Sequence, residues 1–409
     1  MAMGGSVIDD GVLGPNPLIA THKALPRYVT KHIAPLDGIR GLAVLLVFFH
    51  HSISAASLAV TMPVEKLLVS FIGAGWIGVD IFFALSGFLI TGILLDSKGN
   101  TDYFLNFYAR RTLRIFPLYY LFLALVFVVF APLVEHLYAP NPSFLLLEQS
   151  QWWFWSYLQN WHFVKLGTGS TVPVTHLWSL AVEEQFYLVW PFVVFLCSTR
   201  RVIWISAAIC VASPLLRLML LRAGWTDTSV YMATVTRMDA LVVGALLAAW
   251  LRSQPMPSPK QALIALMGIL VGGGAITTLI DHGLRRNGAA LQTIGLSVIS
   301  VSATLLILLA VSKDAKSGLH RILTIKFFRQ SGKYSYAIYI FHPPILWGLA
   351  AVLRSHKRLL VPGTHLLSIG YIGFVACALL CTYAVSLLSW ELYEQHFLSL
   401  KRYFVASLN

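Results

Sequence analysis

An all-α bundle of about ten membrane-spanning helices is the fold this chain predicts, and three observations predict it. Of its 409 residues 57% are hydrophobic and only 11% are charged, whereas a soluble globular chain carries about a quarter charged residues. The apolar residues fall in runs of about 20, the length at which a helix crosses a hydrocarbon core. The basic residues give a net charge of +13, but they sit in short clusters between the apolar runs. That distribution suits loops beside a lipid surface and argues against a nucleic-acid partner.

The runs lie at about 39–60, 69–95, 116–134, 177–197, 202–221, 232–251, 263–280, 291–311, 336–353 and 366–390. An even number of spans returns the C-terminus to the side of the N-terminus. With both in the cytoplasm, twenty of the thirty lysines and arginines fall inside, as the positive-inside tendency requires of a multi-pass protein of the cell membrane. Arg354, Lys357 and Arg358 run against that bias, and Arg217 and Arg237 fall within spans. Residues 1–35 read as a mobile cytoplasmic extension without a signal-peptide core, 36–395 as the membrane domain, and 396–409 as a short cytoplasmic tail. Cys197, Cys210, Cys377 and Cys381 lie in apolar segments without metal-type spacing. They read as small core residues, with no metal site expected.

Charge inside a span is costly and by default marks a substrate or proton site. The first span opens LDGIRGLAVLLVFFHH. Arg40 and His51 are eleven residues apart, so helical phase brings them to within about 20° of one face and roughly 16 Å apart along the axis. Asp37 falls near that face, and His50 points about 100° away. The second span carries Asp80 among Gly73, Gly75, Gly78 and Gly87. Small residues let helices approach closely, so this span packs inside the bundle. Asp80 either pairs with an arginine to hold the fold or, at a depth similar to His51, serves the chemistry.

Before the third run comes FYARRTLRIFPLYY, where Arg111 and Arg114 stand three apart beside Arg110. They read either as positive-inside anchors or as a phosphate clamp, since guanidiniums on one helix face bind phosphate oxygens bidentately. The longest connection, 135–176, contains WWFWSYLQNWHF. It suits an interfacial helix in the aromatic belt, or a platform for the apolar faces of a sugar. The fourth span opens HLWSLAVEEQFYLVWPF, placing Trp178, Glu183 and Glu184 in its first turns. The two carboxylates read as an outer polar cap, or as groups that orient an imidazole or bind substrate hydroxyls. The ninth span, GKYSYAIYIFHPPILW, sets His342 before Pro343, where proline frees a carbonyl. His342 reads first as a hydrogen-bonded structural residue.

Taken together and in order, LDGIRGLAVLLVFFHH, GVDIFFALSGFLIT, RRTLRIFP, HLWSLAVEEQFYLVWP, RMDALVVGALL, GKYSYAIYIFHPPI and ELYEQHF resemble the acyltransferase family 3 membrane proteins. The likeness covers about residues 36–401. It implies transfer of an acyl group, commonly acetyl, from acyl-coenzyme A to a hydroxyl of a carbohydrate or glycolipid at the cell surface or secreted from it. By the same resemblance Arg40 and His51 match the family's Arg-x10-His motif, and Arg111 with Arg114 its Arg-x-x-Arg motif. Some members carry a fused hydrolase-like domain after the membrane region; with about 19 residues after Trp390, none is expected here.

These readings combine into one expectation. Arg40, Arg111 and Arg114 hold the phosphates of acyl-CoA at the cytoplasmic end, and His51 is the general base about 16 Å above. Arg40, Asp80 and Glu183 assist at the reacting centre, while Glu184, Trp178 and His342 contact the acceptor. The rival expectation is a transporter or flippase for sugars or lipid-linked sugars, since ten helices with buried charges also suit alternating access. No inverted repeat supports it.

Overall fold

A computed structural model describes residues 33–58, 62–133, 147–167, 174–281, 288–312, 317–355 and 365–404. Residues 1–32 of the predicted extension 1–35, much of the long connection and the Lys357–Arg358 pair lie outside them. Among the described residues there are helices and turns and no strand. The first half holds α1 (Ala34–Ala56), α2 (Pro63–Gly73), α3 (Gly78–Asp96), α4 (Tyr103–Ala124), α5 (Gln151–Trp155), α6 (Gln159–Leu166) and α7 (Trp178–Leu196). Then come α8 (Thr199–Arg222), α9 (Asp227–Met232), α10 (Thr234–Trp250), α11 (Pro259–Asp281), α12 (Leu296–Val311), α13 (Gly318–Leu323) and α14 (Lys326–Lys333). α15 (Ser335–Ser355), α16 (Ile369–Ser389) and α17 (Gln395–Ser399) complete the order.

Nine of the described helices, counting continuous runs such as Pro63–Asp96, are long and apolar enough to cross a membrane. The remaining run of the predicted ten, 232–251, is shorter than expected. Met232 ends α9, Ala233 adopts an extended conformation (φ −68°, ψ 134°), and α10 has 17 residues. At 1.5 Å per residue α10 is about 25 Å long, the lower limit for a span, and it lies inside the bundle against α3 and α8.

Two buried ion pairs explain how α10 is held. Arg237 and Asp239 are two residues apart and so project about 200° apart around the helix. Arg237 Nη2 donates to Asp80 Oδ1 of α3 at 2.6 Å, with both side chains fully buried. On the opposite face Arg217 of α8 forms a bidentate pair with Asp239 at 3.0 and 2.8 Å. Arg217 also donates to the carbonyls of Thr236 and Thr293 and to Ser297. Charges in hydrocarbon persist only when paired and hydrogen-bonded in this way.

The backbones of α3 and α10 meet where each carries a glycine: a Cβ on Gly87 would collide with the Leu241 carbonyl, and one on Gly244 with that of Ala84. This is the close approach expected of small residues at a membrane interface.

α1 runs through the middle of the bundle against α3, α14 and α15. It starts at Ala34 with Pro35 in its first turn, and stops before Ser57, which adopts the left-handed conformation at φ 53°. α4 begins at Tyr103, well before the apolar run, so Arg111 and Arg114 sit on a helix that continues into the bundle. The aromatic connection is less superficial than an interfacial belt. Phe154 and Phe163 are buried, Trp155 stacks on Tyr120 at 5.9 Å, and Trp152 is exposed. The cysteines depart from the core reading: Cys377 and Cys381 are exposed along α16, and Cys197 and Cys210 are half-buried.

Removing one partner of the α3–α10 pair leaves an uncompensated charge in an apolar interior, a loss of about 3–5 kcal/mol. Asp80→Ala is therefore expected to lower the unfolding temperature of the detergent-purified chain markedly, and Asp80→Leu combined with Arg237→Met to recover much of it. Thermal unfolding followed by intrinsic fluorescence checks both.

Candidate active site

One cavity collects most of the chemistry. Arg40 of α1, Arg111 and Arg114 of α4, Ser86 of α3, Ser179, Glu183 and Tyr187 of α7, and Ser335, Tyr336 and Tyr339 of α15 line it. The side chains come together through helical phase. Ser179, Glu183 and Tyr187 recur every four residues and share a face of α7, as Tyr336 and Tyr339 do on α15. Apolar side chains of α3, among them Val79, Phe82 and Ile90, complete the wall.

Chain direction gives the cavity two ends. α7 enters at Ser179 and proceeds to Tyr187, whereas α15 proceeds from Ser335 to Tyr339. One end therefore carries Arg40, Arg111, Arg114, Tyr187 and Ser335, and the other Ser179 and Tyr339. At the first end Arg40 is held by Asp37 at 2.8 Å. Arg111 sits 5.5 Å over the ring of Tyr187, whose hydroxyl is hydrogen-bonded to Ser86. Three guanidiniums line the cavity with Glu183 as the one carboxylate among its lining residues, and Asp37 is already engaged with Arg40; clustered guanidiniums of this kind suit phosphate oxygens. The cavity is partly open and its volume is about 110 Å³, small beside the roughly 300–1,000 Å³ of a drug-sized site.

The other end abuts a group of histidines. The hydroxyls of Ser179 and Tyr339 lie 2.6 Å apart, and Tyr339 donates to the His176 carbonyl at 3.0 Å. The rings of Tyr339 and His176 stand 5.8 and 5.6 Å from that of His342. His342 Nε2 is 3.1 Å from His51 Nδ1. His51 Nδ1 also lies 3.1 Å from the Val47 carbonyl, and His342 Nδ1 lies 2.9 Å from that of Ile338. α15 continues unbroken through Pro343 and Pro344. His50 bonds the Gly73 carbonyl at 2.6 Å, on another face as its 100° offset requires. Among the described residues no group of three His, Cys, Asp or Glu is placed to hold a metal ion.

The structure thus brings Arg40, Arg111, Arg114 and Glu183 into one cavity, and His51 into contact with His342 beside it. It does not bring the other three sequence candidates there. Asp80 turns to Arg237 and Ser300 instead of His51, because a carboxylate at that depth needs a cation. Trp178 is buried between the rings of Phe83 and Tyr231, at 6.1 and 5.0 Å, and offers no face to an acceptor. Glu184 follows Glu183 and so points about 100° away, within electrostatic range of Tyr120 and Tyr157. Sequence reasoning missed Ser86, Ser179, Tyr187 and Tyr339. The signal available was spacing: Ser179 and Tyr187 flank Glu183 at four residues, and Tyr339 precedes His342 by three.

The model of the Acyltransferase domain family matches residues 33–391. YrhL of Bacillus subtilis, provisionally named a peptidoglycan O-acetyltransferase, is 33% identical over 340 residues, covering 77% of this chain and 49% of that protein. The peptidoglycan O-acetyltransferase OatA of Listeria monocytogenes is 31% identical over 355 residues, covering 81% of this chain and 52% of the relative. The O-acetyltransferase OatA of Staphylococcus aureus is 28% identical over 330 residues, covering 78% and 51%. The chain spans about half the length of these curated relatives. No solved structure matches it.

Proposed function

The chain belongs to the Acyltransferase domain family, and from that premise we propose that it is an integral-membrane O-acyltransferase moving an acyl group, acetyl first, from acyl-CoA to a carbohydrate hydroxyl. The observation that carries the reading is the cavity with three arginines at one end and the Ser179–Tyr339 pair at the other, against the His342–His51 contact. The peptidoglycan named for the relatives YrhL and OatA makes a sugar hydroxyl of the cell envelope the first acceptor to test. The protein sits in the cell membrane with both termini cytoplasmic, so that the arginine end opens inward and the histidines lie toward the outer half.

The donor supplies an acyl carbon activated as a thioester. Arg40, Arg111 and Arg114 hold its phosphates through charge-assisted hydrogen bonds. Asp37 orients Arg40, and Glu183 spaces the guanidiniums. His51 takes the proton of the acceptor hydroxyl as its oxygen bonds to the acyl carbon. It returns that proton to the sulfur as the carbon–sulfur bond breaks, so the ring ends neutral. An imidazole suits both transfers near neutral pH. Asp80 takes no part, its charge being committed to Arg237.

His51→Ala is expected to abolish label transfer from radiolabelled acetyl-CoA to envelope sugars by the detergent-purified chain, with elution and unfolding temperature unchanged. Near-normal transfer would sink the base assignment, and sugar movement only in sealed vesicles, without acylation, would favour transport. Arg114→Ala removes charge-assisted hydrogen bonds of about 1.5–3 kcal/mol, so the donor KM should rise roughly 10- to 100-fold with a smaller change in kcat. Donor kinetics at saturating acceptor measure it, and an unaltered KM would make Arg114 a topological anchor.

A further inference from the structure

A histidine base must present one particular nitrogen, and which one His51 presents is set jointly by the Val47 carbonyl of its own helix and by His342. His51 Nδ1 lies 3.1 Å from the Val47 carbonyl oxygen. A carbonyl oxygen only accepts, so Nδ1 is the nitrogen that carries the ring proton. His342 is arranged the same way on α15: its Nδ1 lies 2.9 Å from the Ile338 carbonyl. Its proton is therefore on Nδ1, and Nε2 of the neutral ring carries an electron pair. That Nε2 lies 3.1 Å from His51 Nδ1, so the one Nδ1 proton is shared between the Val47 carbonyl and His342 Nε2, a three-centre bond with both acceptors at 3.1 Å.

We infer that His342 is a positioning residue: it holds the His51 ring with its proton on Nδ1 and its electron pair on Nε2, the nitrogen that then takes the acceptor's proton. The inference rests on the reading of His51 as base. His342 is fully buried, and the rings of Phe48, Tyr339 and His176 stand 6.2, 5.8 and 5.6 Å from it. Its orientation is thus set by packing before any substrate arrives. A carboxylate in the same place would need a cation of its own at this depth, as Asp80 does, whereas a neutral imidazole needs none. When His51 takes up a proton, its Nδ1–H becomes a charge-assisted donor and the bond to His342 strengthens. The arrangement does for an apolar site what a buried aspartate does for the histidine of a hydrolase triad.

Nitrogen-15 NMR of the full chain in detergent, with labelled histidine, reads the ring protonation directly, the His51 signals being assigned by their loss in His51→Gln. The wild-type spectrum should show His51 and His342 each protonated at Nδ1 and bare at Nε2. In His342→Leu the His51 ring should become a mixture of tautomers, and kcat should fall about 100-fold, within the usual range for a general base, at an unchanged donor KM. His342→Gln keeps an oxygen that can accept from Nδ1–H and should stay within about tenfold of wild type. If His342→Leu does not fold, the longer apolar His342→Met carries the same comparison. A proton on Nε2 of wild-type His51, or full turnover in His342→Leu, overturns the inference. The spectrum needs no substrate, so a wild-type chain without acyl transfer would sink the proposed activity while the ring assignment was still decided.

Discussion

Every charge within the bundle must either meet an opposite charge or face a cavity, because hydrocarbon offers no third solution. This constraint sorts eight of the ionisable residues of the spans into two sets. Arg217 with Asp239, and Arg237 with Asp80, are matched one to one and fully enclosed; they fasten α10 between α8 and α3. Arg40, Arg111, Arg114 and Glu183 share the cavity, where the positive charges outnumber the negative. The first set is structural because its charges are spent on each other. The second faces the cavity, where its guanidiniums are placed to meet an anionic ligand.

The same constraint shapes the proposed reacting end. A base oriented by a carboxylate would require a third, cationic group to offset it. Two imidazoles, one from α1 and one from α15, bond the carbonyls of their own helices and each other. The ion pairs matter here indirectly. They hold α3 in place, and Val79, Phe82 and Phe83 of α3 form the apolar wall past which a slender acyl chain would travel.

Much of this was legible in the residues. Composition and run length give the helical membrane bundle, and the spacing of Arg111 and Arg114 puts both on one face of the helix that lines the cavity. The identity of the buried ion pairs was not legible, because which arginine meets Asp80 depends on how α3 and α10 cross. The motif RMDALVVGALL nonetheless contains the answer in part, since Arg237 and Asp239 necessarily face opposite ways. The length of α10 was misjudged because Met232 and Ala233 are as apolar as a helix interior, and only the extended backbone at Ala233 separates α9 from α10. Trp178 was misassigned for a related reason. An aromatic ring reads alike whether it faces a ligand or packs on Phe83 and Tyr231.

The account turns on what occupies the arginine-lined cavity. An experimental structure of the purified chain with acetyl-CoA tests this most directly. The account predicts the donor's phosphates within hydrogen-bonding distance of Arg40, Arg111 and Arg114, with the sulfur beside Ser179 and Tyr339. Donor bound away from the three arginines, or a lipid chain filling the cavity while acetyl-CoA binds elsewhere, would contradict it.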